Sequence, residues 1–133
     1  MLDDDTYAAL ADFRHTLRRF LSFSEARAAE AGLTPQQHQA LLAIRAAPPG
    51  HGTVGYLAER LVVRPHSATG LVDRLEALGL VERVTNQADR RSAMVRLTRK
   101  AQRTLDALSV AHRAEIRNLR PVLSELLSRI DRR

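Results

Sequence analysis

Residues 82 to 98, ERVTNQADRRSAMVRLT, carry the pattern that decides the fold. Ala93-Met94-Val95-Arg96-Leu97 alternates, with Val95 and Leu97 on one face and Met94 and Arg96 on the other, the period of a half-buried strand. Val81 to Thr85 is a second, less regular β-prone run, and Asn86-Gln87-Ala88 offers a turn entry between the two. Together they predict a β-hairpin with Asp89-Arg90-Arg91 at its tip. Such a tip is either an ordinary solvated loop or a probe, and the flanking segments must decide.

Upstream of the hairpin, Thr53 can cap a short helix from Val54 to about Leu61, with Val54, Leu57, Ala58 and Leu61 on one face. A brief link, Val62-Val63-Arg64, leads to Pro65, a residue suited to a first helical position. The helix it opens, about 65 to 78, has an apolar face of Ala68, Leu71, Val72, Leu75 and Leu78, and Gly79 stops it. Its opposite face carries His66, Ser67, Gly70, Asp73, Arg74 and Ala77. A short helix, a tight link and a second helix with a small, polar outer face make a helix-turn-helix, and the hairpin directly after it makes a winged one.

The remaining segments flank this unit. Tyr7, Leu10, Phe13, Leu17, Phe20, Leu21 and Ser24 predict one long helix from residue 5 to about 31, apolar enough to want a partner surface. Thr34, Pro35 and Gln37 form a capping-box sequence for a second helix to about Ala47, which PPGHG ends. Thr98 can cap a helix to about Arg120, and Pro121 reads as the opening of a last one. The expected class is therefore mainly α (α+β), a winged helix-turn-helix with flanking N- and C-terminal helices. In a single domain over 1–133, residues 33–103 form the winged lobe, and 1–32 with 104–133 flank it.

Charge supports a polyanion-facing surface. The net charge is +6, and the whole excess lies between Arg60 and Arg103, where ten Lys and Arg oppose Asp73, Glu76, Glu82 and Asp89. The absence of cysteine excludes disulfides, thiol redox sensing and thiolate metal sites, and leaves the cytoplasm as the expected location. No apolar run approaches the roughly 18 residues of a spanning helix, so no membrane association is expected. No G-x-S-x-G, P-loop, G-x-G-x-x-G or carboxylate pair placed for acid-base work is present, so the chain is not expected to be an enzyme.

Beyond this physical reading, the stretch TVGYLAERLVVRPHSATGLVDRLEALGLVERVTNQADRRSAMVRLT resembles the MarR family of bacterial transcription regulators, above all in LAERL, LVDRLEALGLVER and DRRSAMVRLT. The resemblance implies a homodimer, with 1–32 and 104–133 as N- and C-terminal dimerisation helices and 33–103 as the DNA-binding lobe, that sets two winged lobes on successive major grooves of a pseudo-palindromic operator, roughly 34 Å apart. It places the recognition helix at 65 to 78 and the wing's D-x-R pattern on Asp89 and Arg91, with Arg91 entering the minor groove and Asp89 holding it. Two departures stand out. Val62-Val63-Arg64 supplies no side-chain cap for the recognition helix, so Arg64 is expected on a phosphate, and Gly70 stands where many relatives carry a longer polar side chain.

On this reading His66, Ser67 and Thr69 are candidates for base edges. Arg74 lies closer to the DNA backbone unless it pairs with Asp73 or Glu76, and Arg90 stands beside the wing pair. Arg60, Arg83, Arg90 and Arg96 are further candidates for phosphate. The resemblance also implies a small phenolic or aromatic anion as effector, in a cleft between the dimer helices and the lobe, for which His15, Arg18, Arg19 and His38 are candidates. No cofactor and no metal site is expected: His112 and Glu115 stand at i and i+3, short of a spacing such as H-E-x-x-H. The expected function is a ligand-released repressor that occludes a promoter. The alternative is a helical dimerisation or adaptor protein that keeps the winged fold without binding DNA specifically.

Overall fold

A computed structural model describes residues 1–85 and 93–132. Its order is α1 (Asp4–Glu30), α2 (Pro35–Ala46), α3 (Val54–Leu61), α4 (Pro65–Ala77), β1 (Val81–Thr85), β2 (Ala93–Leu97) and α5 (Arg99–Asp131). This is the mainly helical winged fold that the sequence predicts.

Local chemistry sets the helix starts. The Thr34 hydroxyl accepts from the Gln37 N–H at 3.1 Å while the Gln37 side chain accepts from the Thr34 N–H at 3.0 Å, so the capping box of α2 closes in both directions. Thr53 caps α3 through the Tyr56 N–H, and Thr98 caps α5 through the Ala101 N–H. Asp3 caps α1 by accepting from the Thr6 N–H, and that bond holds its carboxyl below the ordinary aspartate value.

The hairpin is antiparallel, in a register running from Val81 opposite Leu97 to Thr85 opposite Ala93. A further bridge joins Thr53 to Met94, and the Val95 N–H donates to the Gly52 carbonyl at 2.7 Å. A Cβ at Gly52 would stand 3.3 Å from the Val95 oxygen, so the glycine in PPGHG lets the wing's second strand pack against the start of α3. At the other end of the hairpin, Gly79 adopts φ +73° and ends α4, and the Thr98 hydroxyl donates to the Gly79 carbonyl at 2.7 Å. The wing is thereby tied to α3, α4 and α5.

One core unites these elements. Leu41 and Ile44 of α2, Leu57 of α3, Leu71, Val72 and Leu75 of α4, Leu80, Val81 and Val95 around the hairpin, and Ala101, Leu105 and Leu108 of α5 pack together with Ala28 and Leu33. Outside it, α1 runs antiparallel to α5: Arg129 pairs with Asp12 at 2.9 Å, and Ser24 meets His112 at 2.8 Å.

Two expectations change. The segment after Thr98 is one helix of 33 residues, about 50 Å long, with Pro121 inside it. The proline removes the bond to the Arg117 carbonyl, but Arg117, Asn118 and Pro121 are all exposed, so water can satisfy that oxygen. The first turns of α5 belong to the lobe's core and its remainder continues as the arm, so one rigid element crosses the expected boundary at 104. Leu78, read as buried, is exposed, because it caps α4 where the chain turns away from the core.

Candidate nucleic-acid interface

The helix-turn-helix is built by α3, the link Val62-Val63-Arg64 and α4. Val62 closes α3 in a left-handed conformation, φ +55° and ψ +49°, with its side chain 90% exposed. A β-branched residue is strained there. The turn lets the Val63 N–H bond back to the Ala58 carbonyl at 3.0 Å and sets α4 against α3.

As the sequence suggested, Arg64 is the N-cap of α4 and makes no side-chain capping bond. Pro65 follows without an N–H, and the Ser67 and Ala68 N–H groups both donate to the Arg64 carbonyl, so the first turn leaves the His66 N–H beside the Arg64 charge for a phosphate oxygen. His66, Ser67, Thr69 and Arg74 are all exposed, while Ala68, Leu71, Val72 and Leu75 are buried. The Thr69 hydroxyl donates to the Pro65 carbonyl at 3.1 Å and keeps its lone pairs for an incoming donor.

The acids of α4 are neutralised from the wing. Arg83 on β1 donates to Asp73 at 2.6 Å and to Glu76 at 2.8 Å. The Asp73 bond, and behind it the charge of Glu76, raise the Arg83 pKa above the ordinary arginine value. Sequence reasoning offered Arg83 as a candidate for phosphate, and put Arg74 nearer the DNA backbone unless it paired with Asp73 or Glu76. The structure gives both acids to Arg83, which is half-buried, and Arg74 has no ion pair among the described residues. That pairing needed the hairpin's position relative to α4, which no local pattern encodes. Arg96 likewise lies against Glu82, its cross-strand neighbour, at 2.8 Å. Arg60 is exposed on α3. The wing-tip candidates Asp89, Arg90 and Arg91 lie outside the described residues, although β1 and β2 fix where the tip leaves and rejoins the lobe.

The effector candidates separate. His15 and Arg19 line a groove of about 360 Å³ between α1 and α5, together with Phe20, Phe23, Glu115 and Asn118. Arg18 is exposed and does not line it. His38 is only 5% exposed, with its ring 4.8 Å from that of His112. Burial, and then His112, hold the His38 imidazole below its ordinary value. His112 donates from Nδ1 to the Leu108 carbonyl at 2.7 Å, which leaves Nε2 to accept from the Ser24 hydroxyl in the neutral ring. Both nitrogens are thus occupied, and among the described residues no three ligating side chains gather. The lining carboxylate and amide, Glu115 and Asn118, were not read as part of this groove; their i, i+3 spacing places them on one face, but only the α1–α5 pairing shows what that face meets.

A sequence profile of the MarR family matches residues 31–92, the span from the start of α2 into the wing. Over that span the chain is similar to the MarR family. Among its relatives, it is 42% identical over 60 residues to the uncharacterised HTH-type transcriptional regulator YfiV of Bacillus subtilis, a match covering 44% of this chain and 38% of that protein. It is 39% identical over 85 residues to the transcriptional activatory protein BadR of Rhodopseudomonas palustris, covering 62% and 49%. These matches therefore span less than half the length of either relative. Among solved structures, the transcriptional repressor CouR bound to a 23-mer DNA duplex superposes with a TM-score of 0.67 at 28% identity, over 90% of this chain and 89% of that one. CouR from Rhodococcus jostii RHA1, bound to p-coumaroyl-CoA, superposes with a TM-score of 0.66 at 21% identity, over 85% and 87%. No helix among the described residues is long and apolar enough to cross a membrane.

Proposed function

We propose that this chain is a non-enzymatic, sequence-specific DNA-binding transcription regulator that binds a pseudo-palindromic operator as a homodimer. The observation that carries the reading is the outer face of α4, with Arg64, His66, Ser67, Thr69 and Arg74 exposed while its acids are paired to Arg83. A helix so arranged presents donors and positive charge to a major groove; the wing contact proposed beside it, Arg91 in the neighbouring minor groove with Asp89 as its partner, falls on residues outside those described. The DNA-bound CouR structure supports the same use of the fold.

The dimer follows from surface that one chain leaves uncovered. Tyr7, Leu10, Phe13, Leu17 and Leu21 on α1, and Ile116, Leu127 and Ile130 on α5, are exposed at helical spacing. Stripes of this kind mark an interface. The arms pair with those of a second copy and hold two α4 helices at the separation of successive major grooves. Repression by occlusion of a promoter is the proposed mode, in the cytoplasm. The proposed effector is a small phenolic or aromatic anion, with His15, Arg19, Phe20 and Phe23 supplying charge and aromatic surface in the groove beside the arms. Light scattering on the protein mixed with a duplex selected for binding tests the assembly: two chains per duplex are expected, and a single chain bound, or no complex, would remove the dimeric-operator reading.

A further inference from the structure

The geometry points to Arg74 as the residue that reads a guanine in each half-site, its guanidinium carried into the major groove across the bare backbone of Gly70. The assignment rests on the operator-binding reading above. Sequence reasoning put Arg74 nearer the DNA backbone, but its environment favours a base edge. A Cβ built at Gly70 would stand 3.6 Å from Arg74 Nη1, so the side chain folds back one turn, toward the N-terminal end of α4. Ser67, Gly70 and Arg74 share one stripe of the helix, at i, i+3 and i+7, and the guanidinium therefore lies along the face that enters the groove.

Glycine weakens a helix interior relative to alanine, and nothing in the backbone calls for it here. Gly70 has no positive φ, and Arg74 Nη1 is the one atom beyond the helix's own backbone that its Cβ would meet within 4 Å among the described residues. A longer side chain at 70 would lie beneath the guanidinium and lift it from the helix. The acids that could capture Arg74, Asp73 and Glu76, are already bonded to Arg83. What remains is a planar fork of donors with no hydrogen-bond or ion-pair partner among the described residues, held where a base edge would meet it. Guanine O6 and N7 are the acceptor pair that such a fork fits bidentately, and the compact ammonium of lysine does not reproduce the geometry.

Selection from a randomised duplex library tests this with the wild type, Arg74→Ala, Arg74→Lys, Gly70→Ala and Gly70→Leu, followed by anisotropy on the selected duplex and its single base-pair substitutions. The wild type is expected to select a G·C pair at symmetry-related positions. Arg74→Ala should bind that duplex about 5- to 150-fold more weakly and cease to distinguish that pair, with discrimination at other positions unchanged. Gly70→Leu should blur the same pair, Arg74→Lys should retain only part of the preference, and Gly70→Ala should behave as wild type. Thermal melts confirm that the variants are folded. A uniform loss across all substitutions in Arg74→Ala, with the salt slope reduced by about one, would make Arg74 a phosphate contact and overturn the assignment. An unchanged consensus in Arg74→Ala would overturn it alone, whereas a wild type that selects no consensus would remove the operator reading as well.

Discussion

Val62→Gly should stabilise this protein, although it removes an apolar side chain. Val62 sits at φ +55° and ψ +49°, where an L-residue's Cβ crowds the carbonyl that follows, at a cost of roughly 1–2 kcal/mol. Glycine relieves that strain but adds freedom to the unfolded chain, which offsets roughly 0.5–1 kcal/mol of the gain. The side chain is 90% exposed, so the burial lost is a tenth of the roughly 2 kcal/mol that a fully buried valine contributes, about 0.2 kcal/mol. The balance is a gain of about 0.3–0.8 kcal/mol, or roughly 1–3 °C in Tm. Val62→Ala is the control: it keeps a Cβ in the strained conformation and should stay within about 0.5 kcal/mol of wild type. Urea unfolding at fixed protomer concentration measures both changes, with an unchanged m-value expected. If Val62→Gly were no more stable than Val62→Ala, or both fell by more than about 1 kcal/mol, backbone strain would not be the dominant effect at this turn.

The other predictions concern charge, titration and association. Arg83→Ala breaks the ties from β1 to Asp73 and Glu76 and should cost about 1 kcal/mol for the two partly exposed pairs, less at high salt, as read by unfolding at low and high ionic strength. Burial, and then His112, lower the His38 pKa, so the unfolded chain binds a proton that the folded chain resists. Stability should therefore fall as the pH drops below His38's ordinary value of 6.5 toward its lowered one, and His38→Met, which cannot titrate there, should flatten that part of the unfolding free energy between about pH 5 and 7.5. Leu127→Glu places a charge on the uncovered face of α5 and should halve the mass measured by light scattering at micromolar concentration; an unchanged mass would place the interface elsewhere.

The features legible in the sequence are those set by a few adjacent residues. Thr34, Pro35 and Gln37 announce the start of α2, and the alternation at 93–97 announces β2, because caps and strand pleats depend on neighbours within a turn. The turn at Val62 was legible as a short link but not in its conformation, since a valine argues against the left-handed region that the α3–α4 packing imposes. Pro121 misled for the converse reason: locally it opens a helix, while the packing of α5 against α1 carries the helix through it. At the site, the exposed row from Arg64 to Arg74 followed from periodicity. The partners of Arg83 and the burial of His38 against His112 depend on contacts between distant segments. For the same reason, the four residues proposed for one effector cleft divide, with His15 and Arg19 in a groove and His38 inside the junction of α2 with α5.

The central claim is operator recognition, and the most direct test is fluorescence anisotropy of the wild-type protein on its selected duplex and on a scrambled duplex of equal length, across a salt series. The account predicts a preference of about 10³-fold or more for the selected duplex. It also predicts a logarithm of affinity that falls linearly with the logarithm of salt as Arg64 and its basic neighbours release counterions. Equal, weak binding to both duplexes would contradict it and leave a winged-helix dimer that does not read DNA.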